Sequence, residues 1–128
     1  MNTFKYPSKA TIEKLTSKLN IKNSDSSMQD WEYEVADMNH LGQYIDCYNQ
    51  CELSDNEKFT LMRVILEAYD DFKYYSKQTD AYEIRIKKIL LKDFSIHKET
   101  LIDWSCEGED LEDCFAITAF IREILESN

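Results

Sequence analysis

The chain is short of the residues that bend a backbone: its 128 positions include only two glycines and one proline. Tight turns and strand crossings therefore have few places to form. No apolar run approaches the roughly 20 residues of a membrane span, and Met1 to Lys9 lack the apolar middle of a signal peptide, so a cytoplasmic location is expected. Four cysteines (Cys47, Cys51, Cys106, Cys114) are too sparse for a disulfide scaffold at this length and read as reduced thiols. Histidine is scarce as well, with His40 and His97 the only two. Gly42 and Gly108 stand alone, so no glycine-rich phosphate loop is present.

Carboxylate is abundant instead. Twenty-five acidic residues against fifteen basic ones give a formal charge of -10. The charge is uneven: residues 1–22 carry net +4, residues 23–72 net -10, residues 73–106 net +2 and residues 107–128 net -6. Nucleic-acid binding and anionic-membrane binding both depend on Lys and Arg, so this balance disfavours both. A basic protein is the ligand class that the field would steer toward the chain.

Apolar residues recur at spacings of three and four, which predicts an all-α fold. About six helices in a bundle or irregular stack are expected, with residues 1–128 forming a single domain and the polar tract 20–27 a flexible segment. After Pro7, Ile12, Leu15 and Leu19 mark a first helix. A second opens at Asp37 as a capping residue and turns Leu41, Tyr44, Ile45 and Tyr48 inward. Ser54 and Glu57 form a capping box ahead of the clearest helix, whose stripe is Phe59, Met62, Ile65, Leu66, Tyr69 and Phe72. Asp80 and Glu83 repeat that box before Ile86, Ile89 and Leu90. A shorter helix is expected from His97 to Trp104, and a last one carries Cys114, Ile117, Phe120, Ile121, Ile124 and Leu125. No fixed-period repeat is visible.

The candidates for chemistry are weak. Cys47 and Cys51 share a helical face and could ligate a metal with Cys106, Cys114, His40 or His97. The spacing lacks the second close pair of a zinc site, however, and buried cysteine is ordinary core filler, so no metal is expected. Neither histidine lies in a motif that orients a base beside a nucleophile, and both read as surface residues. The chain is therefore expected to be no enzyme and to need no cofactor.

Two acidic segments are the better candidates. In Asp30 to Asp37 (DWEYEVAD) acids alternate with Trp31, Tyr33 and Val35, so Glu32, Glu34 and Asp37 can face a partner while Trp31 anchors, or Trp31 and Tyr33 simply hold a loop on the bundle and leave the acids in solvent. Five of the seven residues from Glu107 to Asp113 are acidic: Glu107, Glu109, Asp110, Glu112 and Asp113. That segment could also oppose the dipole at the start of the final helix, but repulsion works against clustering five acids for capping alone. Asp70 and Asp71, near the end of the Ser54 helix, are unfavourable to its dipole and need another reason to be there. These residues form the expected partner-binding set.

The stretches Asp30 to Asp37 (DWEYEVAD), Glu57 to Asp71 (EKFTLMRVILEAYDD) and Cys114 to Leu125 (CFAITAFIREIL) resemble those of small helical bacterial immunity proteins of polymorphic toxin systems, contact-dependent growth inhibition among them. The resemblance spans about two thirds of the chain in scattered blocks. It implies a cytoplasmic inhibitor that binds a cognate toxin domain, often a basic nuclease, and neutralises it by covering its substrate surface. An acidic helical adaptor binding another host protein and a nucleic-acid mimic fit the same charge.

Overall fold

The computed structural model describes residues 9–19, 36–76 and 81–127, and every regular element within them is helical. In chain order these are α1 (Lys9–Leu19), a 3-10 turn (Met38–His40), α2 (Leu41–Gln50), α3 (Asp55–Tyr75), α4 (Tyr82–Lys92), α5 (Phe94–Ser105), a second 3-10 turn (Leu111–Asp113) and α6 (Thr118–Glu126). The fold is all-α, as the periodicity predicts. No helix among the described residues is long and apolar enough to cross a membrane.

Helix α3 is the axis. Its expected stripe is buried at Phe59, Met62, Ile65, Leu66 and Tyr69, but so are Leu61, Val64 and Ala68 on its other sides. A helix with so wide an apolar surface must be covered on several sides, and α1, α2 and α5 each pack on α3. Leu15 of α1, Leu41, Tyr44, Ile45 and Tyr48 of α2, Ile86 and Leu90 of α4, and Ile117, Ile121 and Ile124 at α6 complete one continuous core. Truncating a fully buried leucine or isoleucine in such a core costs about 2–5 kcal/mol.

Both halves of the capping box form at the start of α3. The Glu57 N–H donates to Ser54 Oγ (3.2 Å), and the Ser54 N–H donates to Glu57 Oε1 (3.2 Å). The other Glu57 oxygen accepts from Lys18 Nζ at 2.6 Å, and the same ammonium donates to the Glu52 carbonyl at 2.7 Å. One lysine of α1 thereby joins α1 to the α2–α3 turn. Burial alone would lift the Glu57 carboxyl, but the Lys18 ammonium and the Ser54 N–H hold it below the usual carboxylate range.

Several expectations shift. Asp37 does cap, accepting from the Asn39 N–H at 2.9 Å, but what it caps is the 3-10 turn that leads into α2. Ala81, with no side-chain cap, precedes α4, so Glu83 is the second helical residue and cannot complete a box. Asp80 and the tract 20–27 lie outside the described residues. Helix α5 starts at Phe94, before His97, and α6 starts only at Thr118, which leaves Cys114 in extended backbone.

The largest correction is His97, which is wholly buried. Tyr48 Oη lies 2.7 Å from Asp93 Oδ2 and 2.7 Å from His97 Nε2. A phenol has one proton, and the Asp93 carboxylate, 3.8 Å from Lys58 Nζ, accepts it. Nε2–H of His97 must then donate to the Tyr48 oxygen, so Nδ1 is a bare acceptor without a partner. Residues from α2, α3, α5 and the α4–α5 junction meet here. His40, by contrast, is exposed, as expected.

Burial drives the His97 pKa from 6.5 down to about 4; Asp93 opposes the shift and Lys58 adds to it. Between those values the unfolded chain binds a proton that the folded chain does not, so stability rises with pH through this window and is lost as pH falls from 6.5 toward 4. At about 1.4 kcal/mol per unit, the gap corresponds to about 3 kcal/mol. Urea denaturation of wild type and His97→Gln at pH 7 and pH 4.5 should show the wild type losing more stability on acidification; equal losses would remove His97 as the cause.

Candidate functional site

The segment from Cys106 to Ile117 connects α5 to α6 and carries the densest charge. Its backbone is fixed from α6. Arg122 Nε donates to the Ser105 carbonyl at 2.7 Å, and Nη2 donates to the carbonyls of Cys106 (2.8 Å) and Glu109 (2.9 Å). Thr118 Oγ1 donates to the Trp104 carbonyl at 3.0 Å and accepts from the Phe115 N–H at 3.1 Å. These bonds satisfy carbonyls that the end of α5 leaves without helical partners, and the guanidinium is a cation placed favourably for that helix's dipole.

Chain reversal after α5 uses two left-handed positions, Cys106 at φ 53° and Gly108 at φ 88°. Only the second is a glycine. Beyond it the segment folds on itself, with the Glu109 N–H donating to Cys106 O, Asp113 N–H to Asp110 O and Cys114 N–H to Leu111 O. The turns consume backbone groups and leave the carboxylates outside.

All five acids, Glu107, Glu109, Asp110, Glu112 and Asp113, are exposed, and none pairs with a basic group among the described residues. Arg122 is the one cation in residues 107–128, and it donates to carbonyls and to the Cys114 sulfur. Carboxylate oxygens of Asp110, Glu112 and Asp113 converge to within 4.8 Å of one another. This donor type suits a hard cation, but three exposed ligands would leave roughly half of the six to eight positions around a calcium ion to water. A lysine or arginine from another protein meets the same field.

Apolar groups are interleaved with the acids. Leu111 is 53% exposed and Phe115 is 47% exposed. Phe115 stands edge-on against Trp104, with ring centroids 4.6 Å apart, so its position is set by packing. Aromatic anchors ringed by charge are the usual composition of a protein-recognition surface.

Asp70 is drawn to the far end of this segment in a different role. Its Oδ1 accepts from the Ile117 N–H at 3.1 Å, and the Ala116 N–H also bonds to the carboxylate. Half-burial lifts the Asp70 carboxyl, the two N–H groups pull it down, and neighbouring Asp71 lifts it further. The acid that opposes the α6 dipole therefore comes from α3, and the first turn of α6 contains none. This supplies the other reason that an acid so late in α3 requires. Asp71 is exposed, and Tyr74 and Tyr75 beyond it are the most exposed large apolar residues described, at 70% and 67%.

Asp37 is elsewhere. It caps the turn before α2, lies 3.6 Å from His40, and belongs to an element that packs on α2 and α3. Trp31, Glu32 and Glu34 lie outside the described residues. Arg122, Leu111 and Phe115 were missed by sequence reasoning, although an isolated arginine in a strongly acidic segment was a usable signal. His97 and Tyr48 of the cluster are buried, while Asp93 and Lys58 stay partly exposed at its edge. No protein-family model, curated protein or solved structure matches this chain.

Removing the Arg122 anchor should loosen the acidic segment before it unfolds the protein. In Arg122→Ala, amide exchange at residues 105–117 should rise at least about tenfold relative to α3, as expected when buried carbonyls lose charged donors worth about 1.5–3 kcal/mol each. Unchanged protection there would show that the loop is held by other contacts.

Proposed function

We propose that the chain is an inhibitory binding protein: an immunity protein that captures a basic toxin domain, such as a nuclease, and covers the surface with which that domain holds its substrate. The reading rests on one observation. Five exposed acids that pair with no cation among the described residues stand on a backbone anchored by Arg122, with Leu111 and Phe115 among them. Lysines and arginines that hold phosphates would meet Glu109, Asp110, Glu112 and Asp113, while Phe115 and Leu111 fill an apolar recess beside them.

The fixed loop matters energetically. A surface ordered before encounter loses less conformational freedom on binding, and close interfacial charge pairs contribute roughly 1.5–7 kcal/mol of coupling in tight inhibitor complexes. Asp71, Tyr74 and Tyr75 extend the same reading along α3. The resemblance of DWEYEVAD, EKFTLMRVILEAYDD and CFAITAFIREIL to immunity proteins supports the class of partner and leaves the toxin's identity open.

The test is co-expression with the toxin domain encoded directly upstream. Wild type should restore growth and co-purify in a stoichiometric complex. Replacing Glu109, Asp110, Glu112 and Asp113 together by Gln or Asn should slow association by about tenfold or more at low salt and flatten its salt dependence. Unaltered rescue and affinity in that variant would exclude this loop as the interface, and a complex with many unrelated basic proteins would point to a nucleic-acid mimic.

A further inference from the structure

A cysteine pair lies well away from this surface, where α2 gives way to the turn that receives Lys18. Cys47 Sγ and Cys51 Sγ are 3.0 Å apart, close enough for one thiol to donate a hydrogen bond to the other. We propose that Cys47 and Cys51 form a reversible dithiol–disulfide site that exchanges with low-molecular-weight disulfides of the glutathione type.

Three features favour bond formation here. Four residues of helical rise separate the two Cα atoms by about 6 Å, inside the range of about 4.4–6.8 Å that a disulfide spans, while Cβ atoms so spaced on a regular helix stand about 5–6 Å apart and must close to about 3.5–4.5 Å. Cys51 is the last residue whose N–H belongs to α2, donating to Cys47 O at 2.9 Å, while its ψ of 153° already leads out of the helix. Because the helix ends at Cys51, the closing shift disturbs no further helical turn. The pair is also asymmetric, since Cys47 is buried in the core and Cys51 is partly exposed.

Asymmetry orders the chemistry. The Cys51 thiolate attacks one sulfur of the external disulfide, forming a mixed disulfide and expelling one small thiolate. Cys47, deprotonated, then attacks the Cys51 sulfur, closing the Cys47–Cys51 bond and expelling the second small thiolate. Two electrons pass from the protein thiols to the external disulfide, and the two protein protons end on the two released thiols. Burial, reinforced by Cys51, pushes the Cys47 thiol up to about 12, with nearby Lys18 opposing. Burial, the largest of these causes, persists in the mixed disulfide and slows the second step, because the thiolate is the attacking species.

The bond would close one residue before Glu52, whose carbonyl holds the Lys18 ammonium. Redox state at this pair would bear on the contact that joins α1 to α3. The Cys106 and Cys114 side chains also interact, but with further partners. Cys114 Sγ is directed to the carbonyls of Asp110 (3.2 Å) and Cys106 (3.9 Å), within the loop that Arg122 secures.

Tryptic mass spectrometry separates the pairs, because residues 23–58 contain Cys47 and Cys51 and no other cysteine. After incubation of the folded wild-type protein with glutathione disulfide, that peptide should lose the mass of two hydrogens and resist alkylation until reduced. Cys47→Ser should stop at one glutathione on Cys51, and Cys51→Ser should leave Cys47 unmodified. If either serine variant fails to fold, the wild-type peptide decides alone. A peptide that keeps both thiols alkylatable, or that accumulates two glutathione adducts, overturns the proposal.

Discussion

Arg122 directs its guanidinium at three main-chain carbonyls, and the character of the acidic segment follows from that choice. A cation among five acids would ordinarily be drawn to the carboxylates and neutralise part of their field. Here the geometry of α5 and α6 aims it at the carbonyls of Ser105, Cys106 and Glu109, which fixes the backbone and leaves the acids outward. Repulsion among them is resisted by main-chain bonds that do not involve the repelling groups. The result is a charged surface whose shape does not depend on counter-ions.

The same economy holds at the other end of the segment. An acidic loop in front of a helix is normally explained by the helix dipole, but α6 begins too late for Asp113 to serve and receives Asp70 from α3 instead. With that duty met from elsewhere, Glu107 to Asp113 have no evident structural task. Helix α3 thus contributes at both ends: its first turn fastens α1 through Glu57 and Lys18, and its last turns fasten α6 through Asp70. An element packed against α1, α2 and α5 is well placed to transmit position between them, because close-packed cores deform little.

What the sequence made legible was local. Spacings of three and four predicted an all-helical fold, and the Ser54–Glu57 box marked the start of α3 to the residue, because both partners lie within one turn. Long-range contacts were not legible. Asp70 read as a misplaced acid since its partner is 47 positions away, and His97 read as exposed since Tyr48, its hydrogen-bond partner 49 positions away, is brought to it only by packing. The final helix was expected too early because Cys114 fits its period, whereas the turns at Leu111–Asp113 use that stretch to reverse the chain. Of the expected partner-binding residues, the loop acids and Asp71 are exposed, Asp70 is engaged internally, and Asp37 belongs to a separate element.

The account turns on whether the Arg122-anchored segment is what a partner touches. Hydrogen–deuterium exchange of the protein, alone and saturated with the proposed toxin partner, measures this directly. The account predicts that new protection concentrates at residues 105–117 and extends to the end of α3 around Asp71 to Tyr75. Protection confined to α1 or α4, with exchange at residues 105–117 unaltered, would contradict it.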